Sequence, residues 1–191
     1  MTSKVRQSAP AARPAPSPAG PRCALCSATI GARHRHLVDV REQSLVCGCP
    51  ACHETRADDR FQPVPERYLE FPGEVLTEET WDDLRIPAGP AFLSMAADRL
   101  VACCPGPRGT TETALPATVW DRLVRRHPAF GTLRPGVEAL LLRRSGGSFL
   151  VPIDACLELA GALRLSWRGY DGGAGAQHSL AMFFARVHAR C

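Results

Sequence analysis

The alternation of apolar and polar positions divides the chain into short strands and helices rather than long runs of either. Arg35-His36-Leu37-Val38-Asp39-Val40 and Ser44-Leu45-Val46 read as two strands. The polar Arg41-Glu42-Gln43 between them fits a hairpin turn, although no Gly or Asn sets its type. Further on, Val137-Glu138-Ala139-Leu140-Leu141-Leu142 and Ser148-Phe149-Leu150-Val151-Pro152-Ile153 flank Ser145-Gly146-Gly147, the clearest hairpin signal in the chain. Apolar runs at 91–96 and 99–104 lead into a Gly/Pro-rich loop at 105–110. Helices are expected at four places. Thr77 can cap a short one stopped by Pro87, and a second runs from about Pro116 to His127, ended by Pro128. Asp154 can cap a third, with Cys156, Leu157, Leu159, Ala160 and Leu163 at helical spacing. After a Gly-rich loop at 169–175, a last helix carries Leu180, Met182, Phe183, Phe184 and Val187.

This order predicts an α+β fold: four strands in two hairpin pairs, three or four helices, and an antiparallel sheet with helices packed on one face. The predicted organisation has four parts. Residues 1–21, rich in Ala and Pro and without an aromatic, form a disordered tail. Residues 22–53 form a small zinc-ribbon-like Cys-rich unit. Residues 54–76 connect it to the rest, with Phe61-Gln62-Pro63-Val64-Pro65-Glu66-Arg67-Tyr68 held extended by its prolines. Residues 77–191 are the α+β domain.

Composition fits this division. Of 191 residues, 45% are hydrophobic and 22% charged, enough to bury one ordinary core and a small satellite. The net charge of +4 comes almost wholly from arginine, since Lys4 is the one lysine. Those arginines are scattered and offset by pairs such as Glu78-Glu79 and Asp82-Asp83, so no nucleic-acid surface is expected. No stretch approaches the roughly 18 apolar residues of a membrane span, and no secretory leader is recognisable. The expectation is a soluble cytoplasmic protein with neither a membrane nor a nucleic acid as partner.

The nine cysteines change the picture. An odd count with two adjacent members, Cys103 and Cys104, does not suit a disulfide scaffold, so clustered thiols point to metal or redox chemistry. Cys23-Ala24-Leu25-Cys26 and Cys49-Pro50-Ala51-Cys52 are two Cys-x2-Cys pairs. Two intervening residues let the chain turn so that both sulfurs face one centre, and a hairpin can bring two such turns together into a tetrahedral site. Zinc is the metal expected of Cys23, Cys26, Cys49 and Cys52; the alternative is iron in a rubredoxin-like site. Cys47, two residues before Cys49, can replace it, stand by as a spare thiol, or serve a different metal. His34, His36 and His53 are near, and His36 is an alternate ligand for a three-cysteine site. Cys103 and Cys104 should face opposite sides of a strand and stay inert, as should Cys156 on its apolar helix face.

Two further segments carry candidate chemistry. Arg108, Thr110 and Glu112 lie in Pro105-Gly106-Pro107-Arg108-Gly109-Thr110-Thr111-Glu112-Thr113, which suits an anion or partner loop but lacks the Gly-Lys-Ser/Thr ending of a phosphate loop. Trp167 and Arg168 open Trp167-Arg168-Gly169-Tyr170-Asp171-Gly172-Gly173, either a partner loop or the end of a helix and its turn. An enzyme using Arg108, Glu112 and Trp167 would need a concave pocket joining both segments. No nucleophile elbow, His-Glu-x-x-His helix or paired-carboxylate motif is present.

The whole resembles an uncharacterised bacterial family whose members are typically encoded beside nickel–iron hydrogenase structural and maturation genes. The likeness rests on Cys23-x2-Cys26, Arg33-His34-Arg35-His36-Leu37, Cys47-Gly48-Cys49-Pro50-Ala51-Cys52, Val64-Pro65-Glu66-Arg67-Tyr68 and Trp81-Asp82-Asp83-Leu84-Arg85-Ile86-Pro87. It continues through Pro105 to Glu112, Val151-Pro152-Ile153-Asp154-Ala155-Cys156, Trp167-Arg168-Gly169, Gly172-Gly173 and Phe183-Phe184. The family's usual Tyr-Pro-Ser-Pro and Ala-Thr-Glu stand here as Cys104-Pro105-Gly106-Pro107 and Thr110-Thr111-Glu112, and the Tyr usual after the last motif cysteine is Leu157. The resemblance implies an accessory to hydrogenase assembly or electron flow, with a hydrogenase subunit or maturation protein as partner.

Overall fold

In the computed structural model, the residues described are 20–56, 58–71, 76–84, 86, 90–96, 99–143, 147–169 and 171–191. Residues 1–19 of the expected tail lie outside them, as do Pro87, the hairpin residues Ser145 and Gly146, and Tyr170.

Strands β1 (Arg35–Asp39) and β2 (Ser44–Gly48) pair as the alternation predicts, in the register Arg35 opposite Gly48 through Asp39 opposite Ser44. Their turn lacks Gly or Asn because Asp39 does the work. Its buried carboxylate accepts from the backbone N–H groups of Arg41 and Glu42 and from Arg60, at 3.0 Å from Nε and 2.8 Å from Nη2. Helix α1 (Pro50–Thr55) follows directly, with Cys49 as its N-cap and Pro50 in the first turn.

The segment read as a connector contributes a strand to each of two sheets. β3 (Phe61–Pro63) pairs with β1 and completes a three-stranded sheet in the order β2-β1-β3. Pro63 is tolerated there because β3 is an edge. β4 (Leu69–Phe71) pairs with β9 (Ser148–Pro152) at the edge of a six-stranded antiparallel sheet that also contains β5 (Ala91–Ala96), β6 (Arg99–Gly106), β7 (Gly109–Leu115) and β8 (Glu138–Leu142), in the order β4-β9-β8-β5-β6-β7. The apolar runs 91–96 and 99–104 are strands too, β5 (Ala91–Ala96) and β6 (Arg99–Gly106). The expected loop after them is a hairpin tip, since β6 continues to Gly106 and returns as β7 (Gly109–Leu115). The reading of four strands therefore falls short: short polar strands such as β7 and Pro-containing ones such as β3 carry too little apolar alternation to be seen.

Two cores lie on opposite faces of the large sheet. Phe92, Cys103, Leu141, Phe149 and Val151 pack against α4 (Ile153–Ser166) and α5 (Gly173–His188), through Cys156, Leu159, Leu163, Phe183 and Val187. Leu93, Ala102, Leu140, Leu142 and Leu150 face the other way, under α2 (Glu78–Asp83), α3 (Ala117–Arg126) and the 3-10 turn Pro128–Thr132. The expected face of helices is the α4–α5 side, and the opposite face is covered as well. Double cover explains why every residue of β8 (Glu138–Leu142) and β9 is buried, and why both read as near-continuous apolar runs. Asp154 is not the cap of α4: Pro152 holds that position and Asp154 lies in the first turn. Its carboxylate faces His36 instead, at 2.9 Å from Nδ1. Between α4 and α5, Gly172 adopts φ +89°, and a Cβ there would lie 2.8 Å from the Cβ of Ala176 and 3.3 Å from the Trp167 ring.

One buried charge sits within this double-covered sheet. Glu138, with none of its side chain exposed, takes a bidentate bond from Arg67, 2.8 Å from Nε to Oε1 and 2.6 Å from Nη2 to Oε2. The Arg134 N–H adds a third bond at 2.8 Å, and Arg67 also reaches the Thr132 carbonyl. This clamp ties the segment between β3 and β4 to the large sheet. Removing one partner leaves the other desolvated. Arg67→Ala should cost about 3 kcal/mol, at the lower end for a buried pair because Arg67 keeps 30% of its side chain exposed. Joint replacement by Met at 67 and Leu at 138 should recover most of that loss, read as the shift in urea midpoint.

Candidate metal centre

The first cysteine turn is closed locally. Ser27 N–H donates to the Cys23 carbonyl at 2.9 Å, Cys23 N–H to the Ala28 carbonyl at 2.8 Å, and Ser27 takes φ +63° to complete the reversal. The second turn is the start of α1, where the Cys49 sulfur accepts from the Cys52 N–H at 3.4 Å. The Ala24 N–H donates to the Cys47 carbonyl at 2.8 Å and docks one turn on the other.

The structure brings together the four sulfurs that the spacing singles out. Those of Cys23, Cys26, Cys49 and Cys52 all lie within 4.8 Å of one another. Cys26 Sγ and Cys49 Sγ are 3.7 Å apart. A tetrahedron with zinc–sulfur bonds of about 2.3 Å has edges of about 3.8 Å, so this pair already has the spacing of two ligands on one ion. Four soft donors at this separation suit a metal site. Cys23 and Cys52 are buried and Cys26 is exposed. Burial pushes the Cys23 thiol up, but the backbone N–H groups of Cys49, Leu25 and Cys26 outweigh it and bring the pKa down to about 6. Burial pushes Cys52 up to about 12, reinforced by its thiol neighbours. Backbone amides thus favour a thiolate at Cys23, whereas burial and the neighbouring sulfurs disfavour one at Cys52.

The possible alternates group apart from the four sulfurs, although Cys47 also packs against the Cys23, Ile30 and Cys52 cluster. His36 and Cys47 stand opposite each other across β1 and β2 and form a separate group with His34. His36 is thereby placed with Cys47 rather than with the four sulfurs. His53, buried on α1, leaves its Nε2 without a hydrogen-bond partner.

The other candidates take ordinary structural positions. Arg108 lies at the tip of the β6–β7 hairpin, and Thr110 and Glu112 lie on the edge strand β7. Glu112 is opposite Cys103; burial first, and then this carboxylate, push the Cys103 thiol up to about 12. Cys103 and Cys104 do pack into opposite cores, and burial pushes the Cys156 thiol well above its ordinary range. Trp167 Nε1 donates to the Gly169 carbonyl and Arg168 to the carbonyls of Leu165 and Trp167, so both side chains close the end of α4.

Two clefts flank the small sheet. One of about 750 Å³ is lined by Arg33, His34, His36, Tyr68, Asp154 and Arg190 among others. The second, about 340 Å³, runs between the sheets past Val40, Leu45, Phe92, Val101, Ile153 and Leu157, and reaches Thr110 and Glu112. Trp167 and Arg168 line neither, so neither cleft is the pocket that an enzyme at those two segments requires. Sequence reasoning missed Asp154 as a partner of His36 and the pairs Asp39–Arg60 and Glu138–Arg67. Their separations of 118, 21 and 71 residues leave no local signal.

The chain belongs to DUF5947, a family of unknown function, whose model matches residues 22–191. Neither a curated protein nor a solved structure matches it. Among the described residues, no helix is long and apolar enough to cross a membrane.

The Asp39 clamp supports the hairpin that delivers Cys47 and Cys49, and its titration sets an acid limit. Hydrogen bonding from Arg60 outweighs burial and, with the Glu42 and Arg41 N–H groups, holds the Asp39 carboxyl below its usual 3.8. A carboxyl depressed in the folded state stabilises fully above its unfolded value and loses that contribution as pH falls through the folded one. Hydrogen-exchange protection factors over residues 35–48, taken against the intrinsic rate at each pH, should fall below pH about 4 in the native chain. In Asp39→Asn they should already be low at neutral pH.

Proposed function

We propose that this chain is a zinc-stabilised accessory protein that acts by protein–protein contact in the assembly or function of a nickel–iron hydrogenase. The observation that carries the metal half is the cluster between the two cysteine turns, which is largely sulfur. Its buried members are Cys23, Ile30 and Cys52, with Leu25, Cys47 and Cys49 packed against them. A unit this short cannot stabilise itself by apolar burial alone, so an ion bound at its centre supplies the missing folding free energy. Four thiolates, with no demand for redox chemistry, favour zinc.

Support for the contact half comes from the cleft between the two sheets. Val40 and Leu157 on its wall are exposed large hydrophobics, and Phe92, Val101 and Ile153 continue the apolar lining. Apolar surface of this kind is what a protein partner covers. The partner we assign, a hydrogenase subunit or maturation protein, follows from the resemblance of the motifs alone. One observation favours a second reading: exposed Cys26 would put an iron ion within one side chain of solvent, as an electron carrier needs.

Metal analysis separates the two readings. Chain purified without an affinity tag should contain zinc and show no visible absorption, whereas a red, iron-loaded protein would select the electron carrier. Cys26→Ser should release that metal and abolish hydrogen-exchange protection at residues 22–56 while the large sheet stays protected; unchanged metal content refutes the four-cysteine assignment. For the partner, a tagged chain expressed with a hydrogenase operon should co-purify a hydrogenase subunit or maturation protein. Leu157→Arg, at a side chain 44% exposed, should reduce recovery at least tenfold without unfolding the chain. If wild-type chain recovers none of these proteins, the accessory role is lost.

A further inference from the structure

We propose that His34, His36 and Cys47 form a second metal site, separate from the four cysteines, that takes a transition ion of the zinc and copper class and leaves one position open towards the larger cleft. One candidate ligand atom from each residue lies within 4.8 Å of the other two. The strands impose the arrangement: His36 is directly opposite Cys47, and His34, two residues earlier, sets its ring edge-to-face on His36 with centroids 4.8 Å apart.

The two rings are held as metal ligands are held. His34 Nδ1 lies 3.0 Å from the Gly31 carbonyl oxygen, which can only accept. The hydrogen is therefore on Nδ1, and the lone pair of the neutral ring is on Nε2. His36 Nδ1 is 2.9 Å from the Asp154 carboxylate, which fixes the same tautomer and orients the second ring. A carboxylate or carbonyl behind each imidazole is the usual outer support of a ligating histidine. The His34 Nε2 is buried and has no hydrogen-bond partner. A buried polar nitrogen without a partner is uncommon, and an ion between the rings and the thiol would satisfy it.

The donor set defines the class of ion. Two imidazoles and a thiolate suit zinc or copper, and are the wrong donors for magnesium or calcium. Three protein ligands leave a fourth place for water or a small donor, the pattern of open sites rather than closed structural ones. His34 and His36 line the larger cleft and Cys47 does not, so the cleft is the side from which a fourth ligand would arrive. Arg33, Arg35 and Arg190 there are balanced by Glu66, Asp154 and Glu158, which leaves water as the simplest occupant.

The site stands independently of the four-cysteine reading, and one set of measurements keeps the two apart. Full-length chain is loaded with zinc, then separately with cobalt, freed of loose ion by gel filtration and analysed for metal. Wild type should retain about two ions per chain, and His34→Ala and Cys47→Ser about one each, with far-UV circular dichroism unchanged. Asp154→Asn, which keeps all three ligands, should weaken retention of the second ion about ten- to a hundredfold. The cobalt spectrum lost in His34→Ala should be that of a centre with a single thiolate. About one ion in wild type and in His34→Ala alike would overturn the proposal. If that single ion is instead lost in His34→Ala and kept in Cys26→Ser, the histidine site stands and the four-cysteine site falls.

Discussion

The small unit depends on the convergence of four thiols where an apolar core would otherwise be. A segment of this length exposes too much of itself to be stabilised by packing alone, and the cluster buried between its two cysteine turns is Cys23, Ile30 and Cys52. The turn at Cys23–Ser27, the N-cap of α1 at Cys49 and the hydrogen bond from Ala24 to Cys47 are local means to one end, the placing of sulfur. The rest of the unit is arranged around that centre: β1 and β2 span the distance between the two turns, and α1 covers the second.

The large domain follows a different rule. Its sheet is closed off on both faces, so its central strands β8 and β9 contain almost nothing polar. The one charged exception is Glu138, tolerated because Arg67 and the Arg134 N–H fill its acceptor sites. Arg67 stands in the segment that leaves β3 of the small sheet and enters β4 of the large one. The two parts of the molecule are thereby joined by a segment that gives a strand to each sheet, by the ion pair Arg67–Glu138 and by the half-buried hydrogen bond between His36 and Asp154, rather than by a passive linker.

How much of this was legible in the sequence varied with the range of the forces involved. The β1–β2 and β8–β9 hairpins, the helices from 117, 153 and 173, and the two cysteine turns are set by local periodicity and spacing, and all were readable. β3, β4 and β7 were not, because proline, charge and threonine give an edge strand no apolar alternation to detect. The four candidate sulfurs could be named because each pair is a local turn. The partners that hold His34 and His36 could not: Asp154 looks like a helix cap, and only the docking of the small unit turns its carboxylate towards a ring from β1.

The short stretch Cys47-Gly48-Cys49 ends β2 and sends one thiol to each ligand group. Successive strand positions face opposite ways, so a slip of one residue between β1 and β2 would carry Cys47 away from His36 and displace Cys49 with it. The ends of this hairpin are therefore tied to the placing of the two candidate ligand groups, whereas its tip is held by Asp39 and by the Val40 N–H bond to the Arg60 carbonyl. Evolution can lengthen or reshape that tip at small cost, but a single residue inserted within either strand would dismantle both ligand groups at once.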